Sequence, residues 1–264
     1  MSTATDQQDP AVLEAIAFMR LNCDGDVTLD RLAEHVSYSK FYFLRRFKTV
    51  TGMTPGQCLT AIRIATSKQL LATDPSMSIT DLSLAVGYSS MGAFCTRFRT
   101  TVGVTPKEYR ALHRGEDLDL GPAGRPARPG PGRTGASLVR GSLVRADVPA
   151  DAVTYVGLFK GSDPFGVPAS CAVLSGAESA FTLEAPVAGR AWTVQAVTLA
   201  SGPGAPAAGP GPVLALGAVT HHDRGAVDVE LPMAAAPAHV IPPLTALPEL
   251  HARGLPVLRP ALVG

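Results

Sequence analysis

Hydrophobic and polar positions follow a helical period through the first part of this chain and a two-residue period through the last. Between residues 10 and 22, Val12, Leu13, Ile16, Met19 and Arg20 fall at helical spacing and predict a first helix. CDGDVT breaks it, and Thr28 stands where an N-cap is needed for a short helix over 29–36. Ser39 is placed to cap a helix over about 39–51, which Gly52 ends. Pro55 starts a longer helix, about 56–72, with an apolar stripe through Leu59, Ile62, Ile64, Ser67, Leu70 and Leu71, and Asp74-Pro75 stops it. The plan then recurs. Ser78 precedes a helix at about 79–86, Ser89 and Ser90 one at about 90–102, and Pro106 opens a last helix through Tyr109.

The recurrence extends to residue identity. Leu32, Val36, Tyr38 and Ser39 return as Leu82, Val86, Tyr88 and Ser89. After a one-residue insertion, Phe47, Gly52, Thr54 and Pro55 return as Phe98, Gly103, Thr105 and Pro106. A repeat of this length suits one helix–turn–helix unit rather than a domain. Two such units on one chain can read successive segments of a DNA groove.

Composition changes sharply at residue 115. GEDLDLGPAGRPARPGPGRTGA cannot bury an apolar face, and its Pro and Gly oppose both helix and strand, so residues 115–136 are expected to be a linker. Beyond it, Val227, Val229 and Leu231 alternate with Asp228 and Glu230, the signature of a half-buried strand. Residues 138–144, 153–159, 180–183 and 192–199 read as further strands, and SGPGAPAAGPGP as a loop between strands. The tail from Pro232 is apolar, punctuated by proline, and expected to run extended, partly along the sheet. The fold class is therefore multidomain: an all-α bipartite helix–turn–helix domain over 8–114, then an all-β sandwich of about seven strands over 137–231.

The formal net charge of +1 becomes informative only when divided. Residues 1–114 hold 13 Lys and Arg against 10 Asp and Glu, and the remainder is mildly acidic, so a polyanion partner belongs to the first part. Cys23, Cys58, Cys95 and Cys171 lie far apart without a C-x-x-C pair, which fits thiols in a reducing cytoplasm. MSTATDQQDP lacks the basic start and apolar run of a signal peptide, and no stretch offers 18 consecutive apolar residues. A cytoplasmic protein with no membrane partner is expected.

A helix in the major groove needs small or polar residues on its first turns, flanking basic residues for phosphates, and an apolar back. In the first unit Phe43 and Phe47 supply the back. Ser39 stands at the helix start, while Lys40, Phe41, Leu44 and Arg45 project outward, with Arg46 and Lys48 further along. Arg45 suits a bidentate guanine contact, Phe41 and Leu44 suit thymine methyl groups, and Lys40 and Lys48 suit phosphates.

These residues resemble the DNA-binding domain of AraC/XylS-type transcription regulators over about residues 10–112. The matching positions include Leu32-Ala33, Ser39, Arg45, Phe47-Lys48, Gly52, Pro55, Arg63, Leu70-Leu71, Gly87-Tyr88, Phe94, Phe98, Gly103, Pro106 and Tyr109-Arg110. The resemblance implies recognition helices near 39–48 and 90–99 in adjacent major-groove turns, roughly 34 Å apart, with a connecting helix setting the spacing or the DNA bending. The second unit departs from the family pattern. Ser90, Met91, Gly92, Ala93, Cys95 and Thr96 form its outward face, where the family often has polar residues and an arginine at the position of Thr96. Arg97 sits one residue later, about 100° around the helix. The second helix is thus expected to read less sequence, contributing phosphate contacts through Arg97 and Arg99 and an apolar contact through Met91.

His221-His222-Asp223, with His239 and His251, shows no defensible metal-ligand spacing, and HHDRG reads as an exposed turn. Cys171 has nothing basic nearby to activate it and reads as a buried strand cysteine. Trp192 reads as core. Neither a cofactor nor an enzymatic site is expected. The β region resembles the transthyretin-like or carboxypeptidase regulatory-like sandwich through VRGSLVR, VTYVGLFKG, the hairpin AFTLEAPVAGRAWTVQAV with Phe181, Leu183, Pro186 and Gly189, and VDVEL. The expected function is sequence-specific DNA binding in transcription regulation, with the β region serving a small-molecule effector or a partner, RNA polymerase among the candidates. The alternatives are a DNA-targeted repair or modifying activity in the β region, or a β region that serves protein interaction alone.

Overall fold

Capping chemistry decides where the helices begin. Asp9 accepts hydrogen bonds from the Ala11 and Val12 amides at 3.0 and 3.4 Å and starts α1 (Pro10–Leu21), whose proline stands where no N–H is needed. Thr28 accepts from the Arg31 amide at 3.2 Å and starts α2 (Leu29–His35). α3 (Lys40–Thr51) ends at Gly52, whose φ of +75° is the left-handed conformation that closes a helix at least cost with glycine. A capping box between Thr54 and Gln57 opens α4 (Pro55–Thr73). Ser78 caps α5 (Ile79–Ala85) at the Asp81 amide, 3.0 Å, and Ser90 accepts from the Ala93 amide at 3.3 Å in α6 (Met91–Val102). Thr105 and Glu108 bond reciprocally at the start of α7 (Pro106–His113), which runs a full turn past the expected end at Tyr109. One expected cap differs. Ser39 has N-cap backbone geometry, but its hydroxyl makes no capping bond.

The computed structural model describes residues 9–114, 137–144, 149–160, 168–176, 178–185, 191–200, 213–222 and 227–235. The chain divides into two compact units, Met1–Cys95 and Thr96–Gly264, so that α6 crosses the division. In the first unit α1 packs on α2, α3 and α4, and α4 also touches α3 and α5. Val12, Ala15, Ile16 and Met19 of α1 are buried, while Leu13 is half-buried and Arg20 exposed. In α4, Cys58, Leu59, Ala61, Ile62, Ile64, Ser67 and Leu71 are buried and Leu70 is half-buried. The Ser67 hydroxyl is accommodated by donating to the Arg63 carbonyl at 2.6 Å.

The β region has eight strands among the described residues: β1 (Ser137–Val144), β2 (Val153–Lys160), β3 (Ser170–Ser175), β4 (Ala180–Ala185), β5 (Ala191–Leu199), β6 (Val213–His222), β7 (Val227–Pro232) and β8 (Ala234–Ala235). They form two sheets, of order β4-β1-β7 and β3-β2-β5-β6-β8. β1 pairs antiparallel with β4 and parallel with β7, and every pairing in the larger sheet is antiparallel. Both sheets contribute to one core, including Val139 and Leu143, Val156 and Leu158, Phe181 and Leu183, Trp192 and Val194, and Val229 and Leu231. Trp192 is thus a core residue, as expected.

Three readings need correction. His221 and His222 are the last residues of β6, opposite Trp192 and Ala191, rather than part of a turn. β3 is a strand of its own, and β4 and β5, expected to form a hairpin, lie in different sheets, whereas the tail pairs Ala234–Ala235 with β6 as an extended segment along the sheet should. The expected linker 115–136, Pro186 and Gly189, Asp223, His239, His251 and the tail beyond 235 lie outside the described residues.

Candidate nucleic-acid interface

Each repeat builds the same turn between its two helices. In the first, the Ser37 amide donates to the Glu34 carbonyl at 2.9 Å and the Tyr38 amide to Ala33 at 2.8 Å. In the second, Gly87 donates to Leu84 and Tyr88 to Ser83, both at 2.9 Å. Ser37 and Gly87 both take left-handed backbone, with φ of +57° and +80°. The turn fixes the direction in which the following helix leaves.

That helix is held by its phenylalanines. Phe43 and Phe47 of α3, and Phe94 and Phe98 of α6, are each 0 % exposed. Phe43 and Phe47 meet edge-on with centroids 5.5 Å apart, Phe94 lies 5.4 Å from Tyr88, and Phe98 meets Tyr109 at 5.7 Å. Burying one face of each helix this thoroughly leaves the opposite face to solvent.

On α3 that exposed face carries Ser39 at its start, then Lys40, Phe41, Arg45 and Lys48; Leu44 is half-buried at its edge. Phe41 is 83 % exposed, a large apolar surface with no packing role in the free protein. Lys40 is not wholly at liberty, because its ammonium pairs with Asp30 of α2 at 2.8 Å. Both partners are well exposed, so a phosphate can replace Asp30 at small cost. Arg46 points the other way and bonds Asp9 at 2.6 Å, tying α3 to the start of α1.

On α6, Ser90, Met91, Gly92, Thr96, Arg97 and Arg99 are exposed and Cys95 is half-buried. Met91 is partly engaged, its sulfur receiving the Thr80 hydroxyl at 3.4 Å. Burial pushes the Cys95 thiol above its usual pKa. The face thus has arginines toward its later half and small or apolar residues at its start. Cys171, expected to be buried, is half-buried in β3, and the cover it has pushes its thiol up to about 11, which suppresses the nucleophilic thiolate near neutral pH.

Two contributors escaped the sequence reading. Tyr42, 44 % exposed, stacks edge-on against Tyr38 at 4.9 Å beside the α3 face. The run KFYF offered the signal, since only one of its neighbouring aromatics can point inward. Arg63 of α4 reaches the α1–α2 loop and the second helix–helix turn. Its position in the repeat gave no hint of that reach.

Two helices, each with a buried phenylalanine back and an exposed opposite face, define a tandem, double helix–turn–helix fold. Comparison with known proteins narrows this. The profile of a helix-turn-helix domain family matches residues 32–112. The HTH-type transcriptional regulator ArgR of Pseudomonas aeruginosa is 33% identical over 106 residues, 40% of this chain and 32% of that protein. The melibiose operon regulatory protein of Escherichia coli is 35% identical over 101 residues, 38% of this chain and 33% of its own length. The match thus spans about a third of these relatives. Among solved structures, an AraC-type transcriptional regulator from Chromobacterium violaceum is 30% identical, covering 46% of this chain and 96% of that one, with a TM-score of 0.38. The DNA-binding domain of AdpA, solved with a target DNA, is 30% identical over 41% of this chain and 96% of its own, with a TM-score of 0.39. Residues 32–112 thus carry a helix-turn-helix domain, and over this part the chain is similar to these transcriptional regulators. Among the described residues, no helix is long and apolar enough to cross a membrane.

Proposed function

We propose that the chain is a sequence-specific transcription regulator whose α3 and α6 read successive major-groove segments of one operator. The observation that carries this reading is the pair of helices with fully buried phenylalanine backs and exposed polar and basic faces. On α3, Arg45 reads a guanine edge, Phe41 and Leu44 contact thymine methyls, and Ser39, Lys40 and Lys48 hold phosphates. Ser39 is suited to this because its hydroxyl is not spent on capping. On α6, Arg97 and Arg99 grip the backbone, Met91 adds an apolar contact, and Ser90, Gly92, Cys95 and Thr96 discriminate weakly. The protein acts by binding rather than catalysis, in the cytoplasm. Residues 8–114 form its DNA-binding domain, 115–136 its linker and 137–231 a β-sandwich for an effector or a partner, RNA polymerase among the candidates.

Selection from random-sequence duplexes with the full chain, followed by titration at rising salt, tests the proposal. A bipartite consensus should emerge. Log affinity should fall linearly with log salt, with a slope near 0.9 for each phosphate neutralised. A flat salt response, or no enriched sequence, would overturn the reading.

A further inference from the structure

The repeat places Ser37 and Gly87 at matching turn positions with the same left-handed backbone. Ser37 shows that this turn accepts a side chain, so backbone conformation alone does not demand glycine at 87. What distinguishes Gly87 is its neighbour. A Cβ there would lie 2.6 Å from the Arg63 guanidinium and 2.4 Å from the Cys23 carbonyl oxygen. The missing side chain makes room for the arginine.

Arg63 uses that room to bridge two parts of the molecule. Its Nε donates to the Cys23 carbonyl and its Nη2 to the Gly25 carbonyl, both at 2.8 Å, in the loop between α1 and α2. Its guanidinium carbon lies 5.6 Å from the Tyr88 ring centroid, a cation–π distance. Tyr88 in turn packs on Phe94, the buried residue at the start of α6. One planar cation thus connects the first helix–turn–helix unit, the connecting helix α4 and the root of the second recognition helix. A lysine has a single ammonium centre and no planar face, so it cannot reproduce this fork and stack.

We propose that Arg63 is the positioning residue that fixes the start of α6 against the α1–α2 loop and thereby sets the spacing of the two DNA segments read. The proposal rests on the two-segment DNA reading given above. Arg63 touches no DNA in this account; it acts through Gly87 and Tyr88. Loss of the bridge loosens the coupling between segments without removing either reading face.

The test uses the full chain, its selected operator, and versions of that operator with one base pair inserted or removed between segments. The wild type should prefer its own spacing by about tenfold or more, within the ordinary range of coupling between sites. Arg63→Met and Gly87→Ala should each cut that preference to below about threefold, while a duplex carrying only the α3 segment binds within about twofold of wild type. Arg63→Lys should fall between. If Arg63→Met weakens all operators equally and keeps the spacing preference, the residue is merely structural and the proposal fails. Hydrogen exchange without DNA separates this failure from failure of the DNA reading. Arg63→Met should speed exchange in both 22–27 and 86–94; unchanged exchange in either segment overturns the bridge, whatever the DNA experiments give.

Discussion

Replacing Asp9 by Ala removes two contacts that one carboxylate makes at once. It loses the α1 cap, built from the Ala11 and Val12 amides, and the bond from Arg46 Nε of α3 at 2.6 Å. A lost N-cap costs about 1 kcal/mol, and a charge-assisted bond about 1.5–3 kcal/mol. Asp9 is 8 % exposed but Arg46 keeps 27 %, so water partly compensates the stranded guanidinium. A destabilisation of about 2–3 kcal/mol is expected, toward the lower end of the combined range. Asp9→Asn keeps a capping oxygen and should cost about 1 kcal/mol less.

Urea unfolding of the full chain, followed by helical circular dichroism, gives the number. A double-mutant cycle with Arg46→Ala should return a coupling of about 1–2 kcal/mol. The pH dependence has a definite sign. Burial tends to raise the Asp9 pKa, but the Arg46 hydrogen bond, the Val12 and Ala11 amides and the Arg46 charge hold it below 3.8. A folded-state pKa below the unfolded one gives stability that is complete above about 4 and lost as pH falls through the folded value. The Arg46-dependent term should therefore be flat near neutrality and vanish in acid. Additivity of the two single variants within about 0.3 kcal/mol would show that Asp9 and Arg46 do not act as a pair.

Three further outcomes follow from the interface. Arg45→Ala should leave melting unchanged and cost about 1–3 kcal/mol in specific binding, with discrimination relaxed at one base pair, as read by competition titration. Thr96→Arg, at an exposed position of α6, should add a phosphate or base contact and steepen the salt slope by about one. In the native protein near neutral pH, iodoacetamide should leave Cys171 unmodified while Cys95 reacts first, because burial holds the Cys171 thiol near 11.

The helical part was legible because its punctuation is local. Thr28, Ser78, Gly52 and Pro55 announce helix ends through their own backbone chemistry, and the phenylalanine spacing announces which face is buried. Ser39 carried the same signal, yet its hydroxyl does not cap, since residue type fixes the capability and not the rotamer. Arg46 read as one more outward cation, because its partner Asp9 lies 37 residues earlier in sequence. Arg63 was hidden for the same reason, with carbonyl partners 40 and 38 residues away. In the β region, alternation exposed β4 and β7. SCAVLS is half-buried along most of β3 and gives no clean two-residue period. VLALGAVTHH follows a Gly/Pro-rich stretch and ends in polar residues that imitate a turn, which concealed the end of β6.

A strict α3 and a tolerant α6 are separated most directly on the DNA. Every base pair of the selected operator should be substituted in turn and its affinity for the full chain measured at one fixed salt concentration. One segment should show losses of about 1–3 kcal/mol at several positions and the second clearly smaller losses. Arg45→Ala should relax only the strict segment. Equal stringency in the two segments, or relaxation of the tolerant one by Arg45→Ala, would contradict this division.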